Sequence, residues 1–202
     1  MKLALCLYGQ TRDYDKALPS WEKFIHKYQP DLYWHTWDSV PILGLFNYNL
    51  KEGIIKKYIK EDFDWITTGV TEYSSTARNV CPQIRSMNRS ISLIKYDNDY
   101  DFIIRSRFDL VLHEPEAITF EYLDPSKYYV ANNHWRDNPD IFDDNIMIGG
   151  SGMGKIGYEW KLYEYIQRNK VIPSGEQFIS HLFKTKDVVR TDLLNFTLAR
   201  NI

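Results

Sequence analysis

The sequence predicts an α/β domain built on a central, mostly parallel, Rossmann-like sheet flanked by helices. Three observations predict it. Short apolar runs of strand length alternate with longer segments whose apolar residues recur at helical spacing. One run, Phe102-Ile103-Ile104, is apolar at consecutive positions, as a strand covered on both faces must be. The 202 residues suffice for one domain with a substantial core, and no repeat, low-complexity tract or linker divides them.

In order along the chain, Leu3 to Tyr8 reads as the first strand. Trp21, Phe24, Ile25 and Tyr28 then lie at helical spacing, and Pro30 ends that helix. DLYWHTW makes a second strand. After a loop through Pro41 and Gly44, Ile54, Ile55, Tyr58 and Ile59 predict a helix, and residues 64–70 a third strand. Pro82 can open the next helix in its first turn, where a missing N–H costs nothing, and Ile84, Met87, Ile91 and Ile94 give it a buried stripe. YDFIIRSRFDL follows as a strand. Tyr128 to Ala131 and Asn145 to Ile148 predict later strands, and Ile156 to Arg168 a helix. Ser174 with Gln177 forms a capping box for a last helix reaching Phe183.

The composition is that of an ordinary soluble globular protein, 44% hydrophobic and 26% charged. A net charge of −2 leaves no electrostatic footprint for nucleic acid or an acidic membrane surface. The 15 Tyr, 10 Phe and 6 Trp favour sites that stack flat rings, and equally an aromatic-rich core. Cys6 and Cys81 form no metal or redox pattern, so a reducing, cytoplasmic setting is expected. The first apolar run is too short for a signal peptide, and no run reaches membrane-spanning length.

The chemistry concentrates where IIRSRFDLVL turns charged. If the strand continues, Arg105, Arg107 and Asp109 share one face by alternation, with Ser106 and Phe108 on the other. Ligands of open α/β sheets bind outside the carboxyl ends of the strands, where this cluster falls. Two guanidiniums beside a carboxylate suit a diphosphate accompanied by a divalent cation, because Arg forks pair with phosphate oxygens while Asp offers a hard oxygen to Mg²⁺ or Mn²⁺. An Arg–Asp ion pair closing the strand end is the competing reading.

The layout resembles glycosyltransferases of the GT-A fold, in particular small bacterial and viral transferases of surface glycans or capsids. LYGQTR, HTWD, QIRSMNRSISLIKY, YDFIIRSRFDL, DDNIMIGG and SGEQFISHL carry the resemblance over nearly the whole chain. It implies a nucleoside diphosphate sugar as donor, a glycan or glycoprotein hydroxyl as acceptor, and a single domain, 1–202, with residues 1–112 as the nucleotide-binding half and 113–202 as the acceptor half. It also implies a divalent cation, Mn²⁺ or Mg²⁺. Where the fold's Asp-x-Asp motif belongs, this chain reads Arg107-Phe108-Asp109, so only Asp109 carries over as metal ligand.

Further site residues follow. Gly9, Gln10 and Arg12 end the first strand and would hold the nucleotide, glycine allowing close backbone approach. His35 and Asp38, with Trp37, end the second strand, where the resemblance implies base or ribose contacts. Arg85 and Arg89 lie one helical turn apart and could steer phosphates or form a solvated basic face. His134 and Trp135 fall in a loop suited to a further metal ligand and a sugar platform. Asp143 and Asp144 precede the NIMI strand and could bind sugar hydroxyls or take an acceptor's proton. Glu176, in the first turn of the last helix, is either a capping acid or, as the resemblance implies, catalytic.

GGSGMGKI nearly spells a phosphate-binding P-loop, but Ile156 stands where the Mg²⁺-binding hydroxyl belongs. Its glycines are expected instead to admit the donor sugar. Two alternatives to a transferase remain at this stage: a non-catalytic nucleotide-sugar-binding module, and a phosphotransferase centred on Lys155.

Overall fold

The computed structural model of the chain describes residues 1–37, 50–55, 72–73, 77–95, 99–132 and 140–199. Asp38, the strand expected at 64–70, and His134 with Trp135 lie outside the described residues.

Strand β1 (Leu3–Gly9) leads into helix α1 (Tyr14–Tyr28), then β2 (Asp31–Thr36), β3 (Leu50–Ile55) and β4 (Glu72–Tyr73). Helix α2 (Ala77–Ser92) precedes β5 (Phe102–Arg107) and β6 (Leu110–Leu112). The second half adds β7 (Tyr128–Ala131), β8 (Ile146–Gly149), helix α3 (Tyr158–Asn169), β9 (Val171–Ile172), helix α4 (Gly175–Phe183), β10 (Val188–Thr191) and β11 (Phe196–Leu198). Seven strands form the main sheet in the order β10-β7-β8-β5-β1-β2-β3. Only β8 is reversed, antiparallel to both β5 and β7, while the other pairings are parallel. The carboxyl ends of β1, β2 and β5 therefore share one edge with the start of β8.

Period-2 alternation sends the two sides of each strand into different cores. Leu3, Leu5 and Leu7 of β1 and Phe102 and Ile104 of β5 pack with Trp21, Phe24 and Ile25 of α1. Ala4, Cys6 and Tyr8 of β1 and Ile103 of β5 instead face α2, α3 and α4, packing with Ile84, Met87, Leu162 and Phe178. Burying each large side chain of this kind contributes roughly 1.5–3 kcal/mol. Helix α1 stops where Gln29 adopts a left-handed conformation and returns its N–H to Ile25 O at 2.8 Å, one residue before Pro30. At the start of α4, Ser174 Oγ accepts from Gln177 N, and the Gln177 side chain accepts from Ser174 N, completing the expected capping box.

Four expectations are corrected. Residues 50–55 form β3, paired in parallel with β2, so Ile54 and Ile55 belong to a strand and not a helix; β-branched residues at the sheet edge win over a helical spacing of only four positions. Helix α2 begins at Ala77, which places Pro82 past the first turn; there it forfeits one intrahelical bond, and its carbonyl accepts Trp37 Nε1 at 3.0 Å. Strand β5 ends at Arg107, and Phe108-Asp109 is a turn into β6, so Asp109 is not a strand residue. The first two glycines of GGSGMGKI admit their own chain: a Cβ on Gly149 would meet Met153 and Tyr128, and one on Gly150 the Pro125 carbonyl.

Candidate functional site

At the carboxyl edge, β1 ends with Gly9 at φ +103°, a conformation that only glycine adopts without strain. Its N–H donates to Ser86 Oγ at 2.8 Å. The same hydroxyl donates to the His35 carbonyl at 3.0 Å and lies 2.8 Å from His35 Nδ1. One buried serine on α2 thus ties the ends of β1 and β2 together. Beyond this knot Gln10 and Arg12 are exposed, open to a ligand at the edge.

Residues 143–145 lie directly opposite, at the entry to β8. Tyr8 Oη donates to the Asp144 carbonyl at 2.7 Å, and Arg105 Nη1 donates to the same oxygen at 2.8 Å. Arg107 N donates to Asn145 O, and Arg107 Nη1 to Asn145 Oδ1, both at 3.2 Å. Asp143 Oδ1 accepts Asn145 N at 2.7 Å. The backbone of the acidic pair is therefore fixed by β1 and β5, and its side chains are presented by a rigid support.

The Asp144 carboxyl is 6% exposed and accepts Gln83 Nε2 at 2.9 Å on Oδ2. It packs against Gly175, the first residue of α4, where any Cβ would overlap Oδ2. Burial pushes this carboxyl up to about 7, the Glu176 and Asp143 carboxylates push in the same direction, and Arg107 and Arg105 hold it down. A carboxyl that titrates near neutrality can take and return protons at physiological pH.

Arg107 meets Asp109 through two bonds, Nε to Oδ1 at 2.8 Å and Nη2 to Oδ2 at 2.6 Å. This geometry bears directly on the expected cation. Both Asp109 oxygens already accept from a guanidinium, and among the described residues no three His, Cys, Asp or Glu side chains are grouped to hold a metal. The described residues around Asp109 do not fit a divalent ion.

The structure gathers Gly9, Arg107, Asp109, Asp143, Asp144 and Glu176 at one edge, with Gln10 and Arg12 beside them. Three other predicted residues are buried in the protein's own packing. His35 is fully buried against Trp37, with ring centroids 4.7 Å apart. Arg85 is 7% exposed and donates through Nε to Glu159 Oε1 at 2.6 Å, joining α2 to α3. Arg105 is fully buried beside Tyr158 and holds the Asp144 backbone, so in this conformation it supports the site from beneath. Arg89 is half-buried, a turn further along α2 from Ser86. The reason is shared: a charge on a helix or strand face reads as ligand-directed until the packing partner is known. Lys155 is exposed at the end of a 3₁₀ turn over Ser151–Lys155, closed by Met153 N to Gly150 O at 3.0 Å, which is not an open anion cradle.

Sequence reasoning missed Tyr8, Gln83, Ser86 and Asn145. Ser86, a small polar residue flanked by Ile84 and Met87 on the buried side of α2, was the one with a readable signal.

No protein-family model matches the chain, and no curated protein matches it in sequence. Among solved structures, it is similar to a glycosyltransferase involved in the glycosylation of the major capsid of PBCV-1, with a TM-score of 0.53 at 10% identity, over 95% of this chain and 82% of that one. It is also similar to the galactosyltransferase LgtC in complex with donor and acceptor sugar analogs, with a TM-score of 0.50 at 10% identity, over 95% and 73%. An active-site mutant of LgtC gives 0.51 at 8% identity, over 95% and 72%. The chain has the α/β fold of the GT-A-like glycosyltransferases.

Proposed function

We propose that the chain is a glycosyltransferase that moves a sugar from a nucleoside diphosphate donor to a hydroxyl of a glycan or glycoprotein. The observation that carries this reading is Asp144. It is a buried carboxyl, pushed up to about 7 by its burial and held rigidly at the carboxyl edge of a GT-A-like sheet beside the Arg107 guanidinium. In this reading residues 1–112 form the nucleotide half, with Gly9, Gln10 and Arg12 around the donor, and residues 113–202 the acceptor half. Arg107 stabilises negative charge that develops on the leaving diphosphate. Asp144 accepts the proton of the attacking hydroxyl, and burial first, then the Glu176 and Asp143 carboxylates, raise its pKa enough to do so. The buried Arg105 holds the Asp144 backbone while this happens. No helix among the described residues is long and apolar enough to cross a membrane. We place the activity in the cytoplasm, a reducing setting that suits two buried cysteines held as free thiols.

The test is release of nucleoside diphosphate from a panel of nucleotide sugars, with and without simple glycosides as acceptors. Wild type is expected to turn over one donor, and Asp144→Asn to lose about 10²–10⁴-fold. Donor binding without turnover under every acceptor would point to a binding module, and turnover unchanged in Asp144→Asn would remove the assigned base.

A further inference from the structure

Asp109 stands where the fold's metal motif has an acid, yet its surroundings are those of a clamp. Its carboxylate is 3% exposed, and both oxygens accept from Arg107. The guanidinium occupies the two lone pairs through which the carboxylate would chelate an ion, and an ion on either remaining lone pair would sit near a like charge. The turn carrying Asp109 is itself held in place, by Phe108 N to Tyr8 O at 3.4 Å and Ala199 N to Asp109 O at 2.8 Å. The pair is thus fixed by the backbone as well as by its own bonds.

Arg107 has donors to spare. Of its five N–H groups, one on Nε and one on Nη2 go to Asp109, and one on Nη1 goes to Asn145 Oδ1. Two remain, on a side chain that is 20% exposed at the carboxyl edge. A guanidinium held by Asp109 and Asn145 can offer only the one N–H left on Nη1 and the one left on Nη2, and holding it removes the rotamer freedom that binding would otherwise have to freeze.

We propose that Asp109 is a positioning residue and not a metal ligand, and that the Arg107 guanidinium, in place of a divalent cation, receives the donor's diphosphate at this position. The proposal rests on the nucleoside diphosphate reading given above. Because Asp109 offsets part of the Arg107 charge, recognition works through two directed, charge-assisted hydrogen bonds at short range.

The test is thermal stabilisation of the protein by UDP, GDP, CDP and ADP, each in EDTA and in Mn²⁺, for wild type, Arg107→Ala, Arg107→Lys and Asp109→Asn. One diphosphate is expected to stabilise wild type equally in both conditions. Arg107→Ala should abolish the effect, and Arg107→Lys should not restore it, since lysine has no fork. Asp109→Asn should weaken it about tenfold or more, again equally with and without Mn²⁺. Stabilisation that appears only with Mn²⁺, and whose Mn²⁺ increment vanishes in Asp109→Asn, would make Asp109 a ligand and overturn the proposal while leaving the nucleotide reading intact. No stabilisation of wild type in either condition would overturn both. Where Asp109→Asn fails to fold, stabilisation of wild type only in Mn²⁺ is by itself enough to overturn the proposal, since it gives the cation the role assigned to Arg107.

Discussion

The two faces of the main sheet are built from the same strands to different rules. Under α1 the core is hydrocarbon and aromatic: Leu3, Leu5, Leu7, Trp21, Phe24, Ile104 and Phe120. The polar strand residues that alternation sends to that side, Thr36 and Ser106, carry only small hydroxyls. Under α2, α3 and α4 the core also holds His35, Ser86, Arg85 and Arg105, each engaged by hydrogen bonds. Burying such groups stabilises a fold poorly compared with hydrocarbon of the same volume. A face that keeps them is organised around something other than stability: Ser86 and His35 fix Gly9 at the end of β1, Arg85 joins α2 to α3, and Arg105 holds the Asp144 backbone.

The comparison is easiest to break by exchanging the roles of the faces. Among stability effects the largest is expected from Trp21→Ala, which empties the space of a fully buried indole under α1 and should cost about 3–5 kcal/mol, read by urea denaturation. Nucleotide binding by the remaining folded protein should not change. On the opposite face, Arg85→Ala leaves the Glu159 carboxylate without this partner. Glu159 keeps 21% of its side chain in solvent, so the expected loss is smaller, about 1–2 kcal/mol. The double variant with Glu159→Ala should recover part of it in a double-mutant cycle.

A subtler difference is a matter of sign. The folded state raises Asp144 above the ordinary carboxylate range, so the stability tied to its neutral form is complete below about pH 4 and is lost as pH rises through about 7. Asp144→Asn should therefore gain on wild type as pH climbs across that window, by roughly 4 kcal/mol at most, and the gap should level off above it. No residue under α1 should show such a window. Gly175→Ala sharpens the same point. The added methyl displaces the Asp144 carboxyl, so the global cost should be only about 1–3 kcal/mol while turnover falls far more than stability.

The two faces also differ in how well the sequence announced them. The α1 face was readable in its N-terminal half: apolar alternation in β1 and helical spacing from Trp21 to Tyr28 reappear in the structure with their partners, while Phe120, Leu194 and Phe196 of the same core were not foreseen. The capping box at Ser174 and Gln177 was equally plain, because it depends on residues three apart. The charged half of β5 was readable as a place but not as a set of roles. Arg105 and Arg107 occupy the same face two residues apart, yet one is sealed beneath Tyr158 and the other reaches the edge. That distinction depends on Tyr158 and Asn145, which arrive from later segments. Edge strands β9, β10 and β11 were missed because each is four residues or fewer and takes its pairing from distant partners. Asp38 and His134, named from the sequence, lie outside the described residues.

The measurement that bears most directly on the central claim is the pH dependence of nucleoside diphosphate release from the preferred nucleotide sugar between pH 5 and pH 9, for wild type and Asp144→Asn. The account predicts that wild-type turnover rises through about pH 7 as Asp144 loses its proton, and that Asp144→Asn is slow and flat across the range. A flat wild-type profile, or an Asp144→Asn profile that keeps the wild-type rise, would contradict it.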